Sequence, residues 1–370
     1  MYDAKIILSK AMKKVTASDE MLFLSMTELN TYHGEEKEKM SNIKHSIEEV
    51  IGHTPILELN GLEKEEKLDA NILVKLEGLN PLGSLKDRIA MAMLDALERN
   101  TDIAPGDTVV EFSSGNTAIG LAALSAKRGY KMVAYMVQAT EERIKLLEAY
   151  GAEVRNMSED EEVMKVMGNL PEDGDSAQAL VDLFAERGRK EGIRYFLTVQ
   201  SANEANRSIQ YSTTGQEILQ DVDKVDVLIA GVGSGGSITG VSEALREKFP
   251  DLEVVAFEPT DDDTESLVGI HSISLTPKNM FPQIILRKDK PPYDKVIKVN
   301  KEDAYIMSNE VAKTDGLFLG ITSGAAIYVA TTLARDPGYK GKTFVMFGYD
   351  DVLKYLSSPL VDKKYAYNKL

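Results

Sequence analysis

The sequence predicts an α/β protein built on mostly parallel sheets with helices on both faces. Two observations carry this expectation. From Ile51 onward, short apolar runs rich in β-formers alternate with amphipathic helical stretches over roughly 300 residues, the pattern of strands joined by crossover helices. Several of the strand-to-helix junctions also carry Gly, Ser and Thr. Ligands of such folds bind at loops leaving the carboxyl ends of strands.

The strand candidates are Ile72–Leu76, Thr108–Phe112, Met132–Met136, Glu153–Asn156, Tyr195–Val199, Val225–Ala230, Glu253–Phe257, Val296–Val299 and Thr343–Phe347. Helical spacing is clearest in three stretches. In Ile119–Lys127, residues Ile119, Ala122, Ala123 and Ala126 share one face, whose alanines suit close packing on a sheet. Glu141–Tyr150 is followed by Gly151, a C-capping residue, and Ser237–Lys248 is stopped by Pro250. Residues 1–43 are polar and rich in Lys and Glu, and read as an N-terminal extension. No Ser/Pro-rich linker divides the rest, so two domains within these 370 residues would be interwoven.

Composition excludes several chemistries. Lys and Arg number 43 against 59 Asp and Glu, a formal charge of −16, so the surface repels nucleic acid and anionic membranes. No cysteine is present, which rules out disulfides, thiolate metal sites and a catalytic thiol. The four histidines, His33, His45, His53 and His271, have no metal-ligand spacing. There is no apolar run of about 18 residues and no secretory h-region, which makes the cytoplasm the default.

Four loops are able to carry chemistry. After the strand ending at Ala230 comes Gly231-Val232-Gly233-Ser234-Gly235-Gly236-Ser237, then a helix. Glycines bring backbone N–H groups close to an anion, the helix N-terminus adds a favourable dipole, and Ser234 and Ser237 add hydroxyls. The loop also matches G-x-G-x-x-G, and Glu258 closes the next strand about 20 residues later, so a dinucleotide is an alternative to a single phosphate. Ser113-Ser114-Gly115-Asn116-Thr117 puts hydroxyls and an amide at a helix start, fitting either a carboxylate site or an ordinary N-cap. Ile321-Thr322-Ser323-Gly324-Ala325-Ala326 repeats that pattern. Finally, Asn80-Pro81-Leu82-Gly83-Ser84 makes a turn into a helix with Lys86 in its first turn, where the dipole disfavours a cation. That misplacement hints at a chemical need for Lys86.

Residues 44–360 resemble the cysteine synthase and cystathionine β-synthase branch of the fold-type II pyridoxal-phosphate enzymes. IGHTP (Ile51–Pro55) resembles the opening I-G-N-T-P, and VKLEGLNPLGSLKDRIA resembles the lysine segment, with Lys86 as the residue that carries the cofactor. SSGNT resembles the substrate-carboxylate loop, TTGQEI and GVGSGGSITG the stretch leading into the phosphate loop, and LGITSGAA and YLSSPL match near the end. The order and number of these motifs favour pyridoxal phosphate over a dinucleotide. The resemblance implies two interwoven domains, each a twisted, mostly parallel sheet flanked by helices, as in the tryptophan synthase β-like fold. On it, residues 85–190 form a smaller mobile domain, 44–84 with 191–360 the larger cofactor domain, and 361–370 a tail.

It also implies roles. Lys86 binds the cofactor and acts as general base at the substrate α-carbon. Ser113, Ser114, Gly115, Thr117 and Gln200 hold the substrate carboxylate, and Asn116 faces the cofactor's phenolic oxygen. Gly233, Ser234, Gly235, Gly236 and Ser237 hold the phosphate. An ungapped match to the family's P-x-S-G-E-R-Y places Asp351 beside the ring nitrogen, where the family has serine; the alternatives are Asp350, or neither. The family's G-I-G-A-G-F loop is replaced by Leu275-Thr276-Pro277-Lys278-Asn279-Met280, which adds bulk and charge at the mouth, and Met136–Thr140 departs from P-E-T-M-S.

The resulting expectation is β-replacement on a serine-derived amino acid, with O-acetylserine and sulfide giving cysteine and acetate. The alternatives are a cysteine lyase or β-elimination enzyme, a cystathionine β-synthase-like exchange enzyme, and a non-catalytic partner or regulatory protein. A homodimer and a serine acetyltransferase partner follow from the resemblance alone.

Overall fold

The computed structural model describes residues 42–113, 115–137, 139–171, 174–260, 267 and 269–365. The chain divides into two units, Met1–His45 and Ser46–Leu370. The expected extension 1–43 falls almost wholly outside the described residues.

The second unit contains two sheets. Strands β1 (Ile56–Glu58), β2 (Ala70–Lys75), β7 (Val227–Gly231), β8 (Glu253–Pro259), β9 (Lys295–Val299) and β10 (Lys342–Phe347) form one, in the order β1-β2-β10-β7-β8-β9. Strands β3 (Thr108–Phe112), β4 (Lys131–Met136), β5 (Glu153–Asn156) and β6 (Tyr195–Leu197) form the other, in the order β5-β4-β3-β6. All pairings are parallel except β1 with β2. The chain starts the larger sheet, leaves to build the smaller one, and returns, so the two are interwoven. Strand β1 was not foreseen: three residues after Pro55 are too few for a periodicity to show.

The helices are α1 (Asn60–Glu65), α2 (Lys86–Asn100), α3 (Asn116–Arg128), α4 (Glu141–Ala149), α5 (Glu161–Gly168), α6 (Ser176–Glu191), α7 (Glu204–Ile209), α8 (Gln216–Asp221), α9 (Gly236–Lys248), α10 (Gln283–Leu286), α11 (Lys301–Thr314) and α12 (Ile321–Ala334). Helix α3 ends at Gly129, held at φ +80° with its N–H on the Ser125 and Ala126 carbonyls, the left-handed cap for which glycine carries no Cβ penalty.

Apolar residues pack both faces of the smaller sheet. Val109 joins the cluster with Ile89, Met93 and Leu121, whereas its neighbour Val110 joins Val163, Leu180 and Phe184. Successive strand residues point to opposite faces, so both must be apolar where helices cover both sides. The larger sheet has one continuous core. A buried ion cluster ties the start of the fold together. Arg88 reaches Glu77 at 2.8 Å and Glu217 at 2.6 Å, and Lys75 reaches Glu217 at 2.8 Å. Among the described residues no helix is long and apolar enough to cross a membrane.

Candidate active site

The loops leaving the carboxyl ends of β2, β3, β6, β7 and β10 are linked by hydrogen bonds into one cleft. Lys86 opens α2. The turn before it is clamped: Leu85 N–H donates to the Tyr349 carbonyl at 3.0 Å, Lys86 N–H to Ser84 Oγ at 3.2 Å, and Lys354 Nζ to the Leu82 and Gly83 carbonyls at 3.0 and 2.9 Å. Gly120 lets α3 lie close to α2, since a Cβ there would come 2.8 Å from Ala90 Cβ. This close approach brings Lys86 beside the start of α3. Burial lowers the Lys86 amine from the ordinary 10.5 to about 8, against the opposing pull of the Asp350 and Glu77 carboxylates. A lysine near 8 has a substantial neutral fraction, able to attack a carbonyl or accept a proton.

At the start of α3, Gly115 N–H donates to Ser113 Oγ at 3.3 Å and Thr117 Oγ1 donates to Gln200 Oε1 at 2.7 Å. Ser114 lies outside the described residues. Gln200 is set by its surroundings. Its N–H donates to Glu111 at 3.1 Å, and the preceding Val199 is held at φ +42°. A β-branched residue in that region costs about 1–3 kcal/mol and persists only where neighbours over-determine it. Glu111 supplies much of that determination. It is 2% exposed and accepts from Phe112 N, Thr198 Oγ1 and Gln200 N. Burial nevertheless pushes it up to about 7.

The glycine loop after β7 runs into α9, thirteen residues long, with Gly235 at φ +82° as its N-cap. A helix of that length presents its first free N–H groups and the positive end of its dipole to an anion. Ser234 Oγ accepts from Asn206 Nδ2 at 2.9 Å, and Ser237 is buried in the first turn. Gly231 N–H is taken by the Tyr349 hydroxyl at 3.0 Å, fixing this loop to the one after β10. In that last loop, Asp350 is 1% exposed. Its Oδ2 accepts from Asn116 Nδ2 at 2.7 Å and Tyr355 OH at 2.8 Å, with Arg143 at 3.6 Å. Arg143 stacks over the Tyr355 ring at 4.8 Å. Asp350 Oδ1 and Asn116 Oδ1 are buried without a partner in the protein.

The expectation for Asp351 meets a different geometry. Its Oδ1 accepts from Leu353 N–H at 2.9 Å, capping the turn Val352–Tyr355, and the carboxylate turned toward Asn116 is that of Asp350. Lys86, Asn116, Thr117, Gln200 and the Gly233–Ser237 loop belong to the cleft. Sequence reasoning missed Glu111, Arg143, Asn206 and Tyr355. Arg143 lies four residues past the altered Ala139, and its only signal was a cation near a helix start. The loop 275–280 also reaches across, with Asn279 Nδ2 donating to the Leu170 and Pro171 carbonyls at 3.2 and 3.0 Å.

Chemically, the cleft offers an anion cradle at a helix N-terminus, a second helix start with hydroxyl and amide groups suited to a carboxylate, and a lysine of lowered basicity. Residues 47–348 match the family described as pyridoxal-phosphate dependent enzyme. A cysteine synthase of Staphylococcus aureus is 39% identical over 320 residues, spanning 85% of this chain and 96% of that protein. The crystal structure of an O-ureido-L-serine synthase superposes with a TM-score of 0.70 at 31% identity, covering 87% of this chain and 96% of its own. That of a cysteine synthase from Entamoeba histolytica gives 0.70 at 30% identity, covering 87% and 92%. The chain belongs to the pyridoxal-phosphate dependent enzyme family, and its cofactor is pyridoxal phosphate.

Proposed function

We propose that this protein performs β-replacement on a serine-derived amino acid, with O-acetylserine and sulfide as donor and nucleophile and cysteine and acetate as products. The observation that carries the reading is the packing of the clamped turn at Lys86 against the helix whose first residues, Asn116 and Thr117, bond Asp350 and Gln200. The residues present fit the cofactor. Gly236 leaves no room for a side chain, since a Cβ there would overlap the Asn206 amide. The buried, unpartnered carboxylate oxygen of Asp350 is the kind of acceptor that the protonated nitrogen of a bound heterocycle satisfies.

Gly233, Ser234, Gly235, Gly236 and Ser237 would hold the phosphate, Lys86 the aldehyde carbon, and Asn116 the phenolic oxygen. When bound, the cofactor supplies an electron sink for charge developing at the substrate α-carbon. Thr117 and Gln200, with the N–H groups at the start of α3, would orient the substrate carboxylate, Ser113 and Gly115 shaping that loop. Neutral Lys86 would take the α-proton from a position fixed by the Lys354 clamp. Asp350 is our candidate for the ring nitrogen in place of Asp351. We also propose residues 85–190 as the part that moves, a homodimer, and a cytoplasmic setting.

A second reading has a specific support: an O-ureido-L-serine synthase is as similar in structure as a cysteine synthase, so the nucleophile is open to test. Purified enzyme should be given O-acetylserine, serine and cysteine, each with and without sulfide. Cysteine formed only from O-acetylserine plus sulfide supports the proposal. Pyruvate without sulfide indicates elimination, and no turnover with any pair indicates a partner protein.

A further inference from the structure

The hydrogen bonds around Gln200 continue to the other end of the cleft. Asn206, the third residue of α7, is 1% exposed. One N–H of its side-chain amide goes to the Gln200 carbonyl at 2.8 Å and the other to Ser234 Oγ at 2.9 Å. The Gln200 carbonyl can only accept, which fixes the amide's orientation. Ser234, having accepted from Asn206, keeps its own proton to donate, the polarity an anion in the glycine loop requires. At its other end Gln200 accepts from Thr117. A continuous chain therefore runs from the start of α3 through Thr117, Gln200, Asn206 and Ser234 to the start of α9.

We infer that Asn206 is a positioning residue that couples the phosphate cradle to the substrate-carboxylate subsite. An anion in the Gly233–Ser237 loop orients the Ser234 hydroxyl. Ser234 then holds Asn206, and Asn206 holds the Gln200 backbone at the strained Val199 junction, so the Gln200–Thr117 pair is set before substrate arrives. By the same links, a carboxylate at Thr117 alters the surroundings of the phosphate. This inference rests on the pyridoxal-phosphate reading of the two loops.

The test uses holoenzyme and L-serine as the carboxylate probe, read by phosphorus NMR of the bound cofactor and by visible-absorbance titration. In the native protein, saturating L-serine should displace the phosphorus resonance. Asn206→Ala should abolish that displacement and weaken L-serine about fivefold to tenfold, the effect of one or two lost hydrogen bonds. Ser234→Ala removes the receiving hydroxyl without touching Asn206 and should abolish the displacement too, which decides the matter if Asn206→Ala fails to fold. Gln200→Ala should weaken L-serine while leaving the resting phosphorus resonance in place. A serine-induced displacement that survives in Ser234→Ala or in folded Asn206→Ala, or is absent from the native protein, overturns the coupling alone. Protein that takes up no pyridoxal phosphate overturns the functional reading together with it.

Discussion

Asn116 Nδ2 donates to Asp350 Oδ2 across 2.7 Å, joining the first residue of α3 to the loop after β10. The neighbouring Asp351, in extended conformation at φ −104° and ψ 176°, turns its carboxylate the other way to cap the next turn. Adjacent residues in extended backbone project to opposite sides. A single-residue choice in the match to the family therefore decides which carboxylate enters the cleft.

The two aspartates should separate cleanly on substitution. Asp351→Ala loses a cap, which costs about 1 kcal/mol in urea denaturation, and should leave the holoenzyme's visible spectrum unchanged. Asp350→Ser leaves the buried Arg143 cation without its carboxylate, which should cost about 3 kcal/mol, and should shift the spectrum. A spectral change confined to the Asp351 variant would return the ring-nitrogen assignment to that residue.

Lys86 should be the residue that takes the cofactor. Borohydride treatment of the protein with pyridoxal phosphate should fix the label on the peptide containing Lys86, read by mass spectrometry. Because burial depresses its folded value to about 8, the labelling rate should climb through pH 8. The same shift makes the unfolded apoprotein the greater proton binder between about 8 and 10.5, so Lys86 lends stability that increases over that window. Lys86→Ala should lower turnover by about 10²–10⁴-fold, as removal of a general base does. Labelling of another lysine at the same rate would sink the assignment.

Much of this cleft could be read from the chain because its loops are local. Glycines and hydroxyls between a strand and a helix announce an anion site without reference to the rest of the fold, so Gly233–Ser237 and Ser113–Thr117 stood out. Glu111 did not, because a glutamate inside an apolar strand becomes informative only when Thr198 and Gln200, 87 and 89 residues away, close over it. Asn206 was hidden for the same reason, its link to Ser234 depending on how α7 packs against α9. The strands of the smaller sheet were legible from their apolar runs, whereas β1 is defined by its partner β2 and not by its own three residues.

Glu111 should give the stability curve a recognisable slope. Its folded value, about 7, lies above the ordinary 4.5 because burial disfavours the anion. The folded state thus binds more protons than the unfolded state between those values. The stabilisation is complete below about 4.5 and lost as pH rises through about 7. Subtracting the urea-denaturation curve of Glu111→Gln from that of the native protein should leave a fall of at most about 1.4 kcal/mol per pH unit within that window. A flat difference would show that the carboxyl is not displaced. Since Gln200 N–H leans on Glu111, L-serine affinity should change over the same interval in the native protein and less in the variant.

The loop 275–280 should govern opening of the cleft. Where the family carries glycines, Asn279 ties this loop to the Leu170 and Pro171 carbonyls, in the connection between α5 and α6. If residues 85–190 swing toward the substrate, this tether must stretch or travel with them, and it biases the equilibrium toward the joined arrangement. Two partly exposed hydrogen bonds are worth about 1–2 kcal/mol together, enough to change the open population roughly tenfold. Asn279→Gly should therefore increase the difference in radius of gyration, by small-angle scattering, between protein with and without L-serine. It should also raise the rate at which bound L-serine leaves, read by stopped-flow absorbance, with little loss of thermal stability because the contacts lie near the surface. Unchanged scattering and an unchanged release rate would mean that the tether does not restrain the cleft, and that the altered loop acts only through the shape it gives the mouth.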